Sequence, residues 1–166
     1  MDHPELFKVK TPRRKRQNVL HEWKVVSVRE CPAPEYMQHI GNPADAANYW
    51  RQHIATAPQF NPDVECIAVL LLNTRLRVKG HHIASVGTLN EAMASPREVF
   101  RVAVASASHA IVVMHNHPSG EPEPSEADRR FTRQLREAGT VLRIEVNDHV
   151  IIGHNRHFSF REAGML

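Results

Sequence analysis

The sequence predicts an α/β domain with a mixed, mostly antiparallel sheet flanked by helices. Three observations carry this expectation. A stretch over 64–72 is almost continuously apolar, which marks a strand covered on both faces. Two amphipathic segments with helix-start signals, 95–107 and 125–138, lie on either side of a second apolar run, 110–114. The chain has 166 residues, of which 42% are hydrophobic, enough for one core and too few for several.

Taken in order, residues 1–42 hold proline, charge and short apolar pieces without sustained periodicity, so they read as a basic N-terminal extension. Only 24–28 within it has strand character. The domain is expected over 43–166, with its core at about 62–160. A helix is expected over 43–57: Pro43 suits the first turn, and Ala46, Tyr49, Trp50 and Ile54 recur at helical spacing before Pro58 and Pro62. The strand at 64–72 should turn at Asn73, Thr74 and Arg75 and return over 76–86 as a hairpin, with Gly80 suited to a bulge. Ser95, Pro96 and Glu98 form a helix start, with Glu98 closing a capping box on Ser95, and Val99, Phe100, Ala103, Val104 and Ala107 give one stripe. After the apolar run at 110–114 and a Pro/Gly-rich loop, a helix over 126–138 carries Ala127, Phe131, Leu135 and Ala138, with Gly139 as its stop. Segments 140–146 and 149–152 read as the last two strands.

Composition narrows the classes of function. The formal charge of +3 is too small to indicate a nucleic-acid partner by itself. The cluster Arg13, Arg14, Lys15 and Arg16 suffices only for a weak, salt-sensitive contact with nucleic acid. No apolar run approaches the roughly 20 residues that span a bilayer, and the N-terminus lacks the apolar centre of a signal peptide. Cys31 and Cys66 are two and far apart, so the stability should not depend on disulfides and a reducing cytoplasm is the expected compartment.

The chemistry concentrates in 115–128, HNHPSGEPEPSEAD. Histidines at i and i+2 of an extended strand point the same way, so His115 and His117 can reach one ion. The loop turns the chain back, and Asp128 in the first turn of the next helix can add a carboxylate oxygen. Three protein ligands leave a fourth position open to water, as in catalytic zinc sites. A competing reading makes Ser125 and Asp128 a capping box, S-x-x-D, with no part in metal binding. An HNH nuclease is set aside, because there the three residues are spread along the sequence and not joined in one tripeptide.

The full pattern, H-x-H-x(7)-S-x(2)-D after an apolar strand and before a helix, resembles the signature of the JAMM (JAB/MPN) metalloproteases. Segments 87–90 (GTLN), 96–100 (PREVF), 115–120 (HNHPSG) and 148–153 (DHVIIG) are similar to the RadC-like bacterial branch, over about residues 62–160. The resemblance implies a fold similar to the cytidine-deaminase-like architecture and hydrolysis of an amide bond in a peptide or protein, with one Zn²⁺ per chain. It implies His115, His117 and Asp128 as ligands and Ser125 as a donor to the oxyanion. The alternative is a non-hydrolytic DNA-repair-associated or DNA-binding accessory module; an inactive MPN-type scaffold is a third reading, against which the retention of both histidines, Ser125 and Asp128 argues. The family also needs an upstream glutamate as general base. Glu98 is explained by its capping box and Glu91 lies in a polar connection, whereas Glu65 stands inside an apolar strand, where a carboxylate is costly unless used or solvated. Glu65 is therefore the expected base. Asp148 and His149 also match the branch, but a histidine at a strand start reads as a packed or surface residue, and His149 receives no role.

Overall fold

The computed structural model describes residues 39–87 and 94–166. The expected strand over 24–28, the basic residues at 13–16, Cys31 and Glu91 lie outside the described residues. The described elements are α1 (Pro43–Tyr49), which runs on into a π-helical turn (Trp50–Ile54), β1 (Cys66–Leu72), β2 (Val78–Val86), α2 (Pro96–Ala105), β3 (Ala110–Asn116), α3 (Glu126–Leu142), β4 (Glu145–Ile152) and β5 (His157–Ser159). The strands form one open sheet in the order β2-β1-β3-β4-β5. Among the described strands, β3 and β4 pair in parallel and the other three pairings are antiparallel. The architecture is thus the mixed α/β type that the sequence predicts, consistent with a JAB/MPN-like fold.

The continuous apolar runs follow from helices on both faces of the sheet. Alternate residues of β1 go to opposite cores: Ala68, Leu70 and Leu72 pack with α1 and its π turn through Ala46, Tyr49, Trp50 and Ile54. Ile67, Val69 and Leu71 pack against Val99, Phe100 and Ala103 of α2 and Leu135 of α3. All seven residues of β1, and all seven of β3, are buried. Cys66 carries a free thiol in this core, and burial pushes its pKa up to about 11. No helix among the described residues is long and apolar enough to cross a membrane.

Local chemistry sets the element ends. Asn42 accepts from the Asp45 N–H while the Asp45 carboxylate accepts from the Asn42 N–H, closing a capping box ahead of Pro43. The β1–β2 turn is held by Asn73, whose Oδ1 accepts from the N–H groups of Arg75 (2.9 Å) and Arg77 (3.0 Å). The pairing skips Lys79, between the Leu72–Val78 and Leu71–Gly80 pairs, so the irregularity falls beside Gly80. Val104, expected on the apolar stripe of α2, is 54% exposed.

Two expectations for the C-terminal third are corrected. Helix α3 does not stop at Gly139 but continues to Leu142 and ends on Arg143 in the left-handed conformation, φ 55°. The glycine serves a close approach instead: a Cβ there would lie 2.6 Å from the Ile144 carbonyl oxygen, where the chain folds back into β4. Gly139→Ala is therefore expected to cost about 1–3 kcal/mol, as an overpacked contact does. It should appear as a lower urea midpoint at unchanged m-value; an unchanged midpoint would show that the contact yields freely.

The second correction concerns the strands expected over 140–146 and 149–152. They are one strand, β4, preceded by the end of α3. Asp148 broke the apolar pattern, yet it is buried in mid-strand with its carboxylate satisfied by the His149 N–H (2.7 Å), the Arg161 N–H (3.0 Å) and the Ser159 hydroxyl (2.7 Å). Those donors anchor the short strand β5 and the turn after it, which the sequence did not announce.

Candidate metal centre

The centre forms where β3 ends and β1 begins. Their antiparallel register places His115 opposite Ile67. Glu65 lies two residues before Ile67 and His117 two after His115, so the period of two puts all three side chains on the sheet face that α3 covers. Asp128 comes from the first turn of α3. Asn116, between the histidines, faces the other way and clamps the start of β1: its Oδ1 accepts from the Cys66 N–H (2.9 Å) and its Nδ2 donates to the Val64 carbonyl (3.0 Å). Both backbone neighbours of Glu65 are fixed by that one amide.

The donor atoms of Glu65, His115, His117 and Asp128 lie within 4.8 Å of one another. The two Nε2 atoms are 3.1 Å apart. Asp128 lies nearer to them than Glu65: its oxygens are 3.2 Å from His115 Nε2 and 3.5 Å from His117 Nε2, against 3.8 and 3.7 Å for Glu65 Oε1. Two imidazole lone pairs cannot share such a space without a proton or a cation between them, and two carboxylates complete a set suited to a divalent ion. Two imidazole nitrogens with carboxylate oxygen are a zinc-type donor set. His117 Nδ1 donates to the Glu121 carbonyl at 2.8 Å, which turns Nε2 inward.

The helix cap and the cluster share Asp128. Its Oδ2 accepts from the Ser125 N–H (2.8 Å) and hydroxyl (2.6 Å), and the Ser125 hydroxyl oxygen accepts from the Asp128 N–H (3.2 Å). Burial pushes the Asp128 carboxyl up, but hydrogen bonds from His115, His117 and Ser125 outweigh it and hold the group well below the usual carboxylate range. For His117, burial pulls down while the Asp128 carboxylate, the Glu121 carbonyl and Glu65 push up, with a net rise.

A family model, the RadC-like JAB domain, matches residues 40–165. The chain belongs to this family. Proteins named UPF0758 are similar to it: one of Pelodictyon phaeoclathratiforme is 51% identical over 102 residues, 61% of this chain and 46% of its own length. One of Symbiobacterium thermophilum is 46% identical over 103 residues, 62% and 44%. One of Desulfitobacterium hafniense is 43% identical over 127 residues, 76% and 54%. The chain thus spans about half the length of the curated relatives it matches.

In this RadC-like JAB domain the structure brings together the expected Glu65, His115, His117 and Asp128, with Ser125 hydrogen-bonded to the last. It adds two residues that the sequence left without a role. His149, 0% exposed, sits behind His115, its Nε2 2.9 Å from His115 Nδ1, and stacks on Phe160 at 4.9 Å between centroids. Thr132, one turn along α3 from Asp128, lies 2.7 Å from His149 Nδ1. Burial, and next the neighbouring His115, drive His149 well below the usual imidazole range.

Proposed function

We propose that this RadC-like JAB domain is a zinc-dependent peptidase or isopeptidase. The observation that carries the reading is the convergence of two imidazoles and two carboxylates on one point at the open end of the sheet. His115, His117 and Asp128 are assigned to hold the ion, because Asp128 is the carboxylate nearer to both nitrogens. When bound, the ion supplies Lewis-acid polarisation of the substrate carbonyl and a water acidified toward a pKa of about 7.

The chain's own residues do the rest. Glu65, set slightly farther back, takes a proton from the attacking water as its oxygen adds to the carbonyl carbon, and delivers that proton to the nitrogen as the C–N bond breaks. One amide and one water thereby give one acid and one amine. The Ser125 hydroxyl, at the N-terminus of α3, is assigned to the carbonyl oxygen on which negative charge gathers, its one proton turning there from Asp128 Oδ2.

Elemental analysis of protein purified without added metal is the test, together with assays on peptide and isopeptide substrates before and after chelation. About one zinc per chain and chelator-sensitive cleavage are expected. A content near zero that added Zn²⁺ does not raise would remove the catalytic reading.

A further inference from the structure

A chain of three hydrogen bonds runs from the backbone of α3 to the far side of His115. The Thr132 hydroxyl donates to the Asp128 carbonyl at 2.7 Å. The same oxygen lies 2.7 Å from His149 Nδ1, and His149 Nε2 lies 2.9 Å from His115 Nδ1. We infer that Thr132 and His149 are positioning residues that fix the direction of these bonds, holding a proton on His115 Nδ1 and so leaving the Nε2 lone pair for the metal. The inference rests on the metal reading above.

The direction follows from what each group can do. A carbonyl only accepts and a hydroxyl has one proton, so the Thr132 proton points to Asp128 and its oxygen must accept from His149. His149 therefore carries its proton on Nδ1. The ring is fully buried among Thr132, His115, Phe131 and Phe160, surroundings that disfavour a second proton and its charge, so its Nε2 is bare. The proton in the contact with His115 then belongs to His115 Nδ1. Thr132 is 1% and His149 0% exposed, so water cannot substitute for either partner. Phe160 stacked on the His149 ring at 7° and Phe131 against its edge keep the ring plane from turning.

Without this chain, a neutral His115 gains by placing its proton on Nε2 toward Asp128, 3.2 Å away, and that tautomer cannot ligate. The relay starts on the carbonyl of Asp128 itself. One helical turn thus sets both the carboxylate and the usable nitrogen of its neighbour.

Imidazole ¹⁵N–¹H correlation spectra of the metal-free full chain read the tautomers directly, and competition with a chromophoric chelator reads zinc affinity. The proton is expected on Nδ1 of His149, with Nδ1 of His115 also protonated. Thr132→Val, which keeps the shape but cannot accept, and His149→Phe, which keeps a ring against Phe160, are expected to weaken zinc binding about 10- to 100-fold. Thr132→Ser should restore it. A His149 proton on Nε2 in the wild-type protein overturns the inference, whether or not the variants fold. So does wild-type zinc affinity in folded Thr132→Val. Wild-type protein that takes up no zinc but shows the expected tautomers would sink the metal reading and leave the hydrogen-bond chain standing.

Discussion

Asp128→Ala is expected to lose zinc and amide hydrolysis together, and to lose stability as well. Two imidazoles remain after the substitution, too few for tight tetrahedral binding, so bound zinc should fall from about one per chain toward zero. The stability loss has a separate cause. Asp128 Oδ2 accepts from the Ser125 N–H, and removing that half of the capping box costs about 0.5–2 kcal/mol. Ser125→Ala separates the two effects, since it removes the acceptor for the Asp128 N–H and leaves every proposed ligand in place. That variant should show a comparable fall in melting temperature, keep its zinc, and lose turnover by about 10²- to 10³-fold. Wild-type zinc in Asp128→Ala, with only the melting temperature lowered, would make the residue a cap and nothing more.

The cap and the metal reading looked like rivals in the sequence, because S-x-x-D explains itself. The two readings are geometrically compatible: a carboxylate has two oxygens, and while Oδ2 accepts from Ser125, Oδ1 is the one 3.2 Å from His115. What could be read in advance was local. The i, i+2 spacing of His115 and His117 needs only an extended strand, and Glu65 stood out because it interrupts an apolar run. His149 and Thr132 could not be found this way, since their roles depend on β4 lying parallel to β3 and on α3 crossing behind both. A threonine inside a helix and a histidine beside Asp148 carry no local sign of a partner 17 residues away. The missed strand boundary has the same origin. Asp148 looked like a break because the groups that satisfy it, Ser159 and Arg161, are themselves placed only by the finished fold. Gly139 misled for a related reason, its neighbour being the carbonyl of Ile144 after the chain has reversed.

Glu65→Gln is expected to separate the base from the ligands. The substitution keeps the size of the side chain, and the clamp of Asn116 on Val64 and Cys66 keeps its backbone in place, so the variant should fold and keep a melting temperature near that of the wild type. Glu65 Oε1 is 3.7–3.8 Å from the two Nε2 atoms, farther than the nearest Asp128 oxygens, so the amide should leave zinc at about one per chain. An amide cannot take the proton, however, and turnover should fall by about 10²- to 10⁴-fold, the usual contribution of a positioned general base. Zinc content, melting temperature and turnover measured on the same preparation distinguish the alternatives. Zinc lost along with activity would make Glu65 a fourth ligand and close the position that water needs. Activity retained in full would move the base elsewhere, and Glu91→Gln would then be the variant to measure, because Glu98 is held in the cap of α2, its carboxylate accepting from the Ser95 N–H.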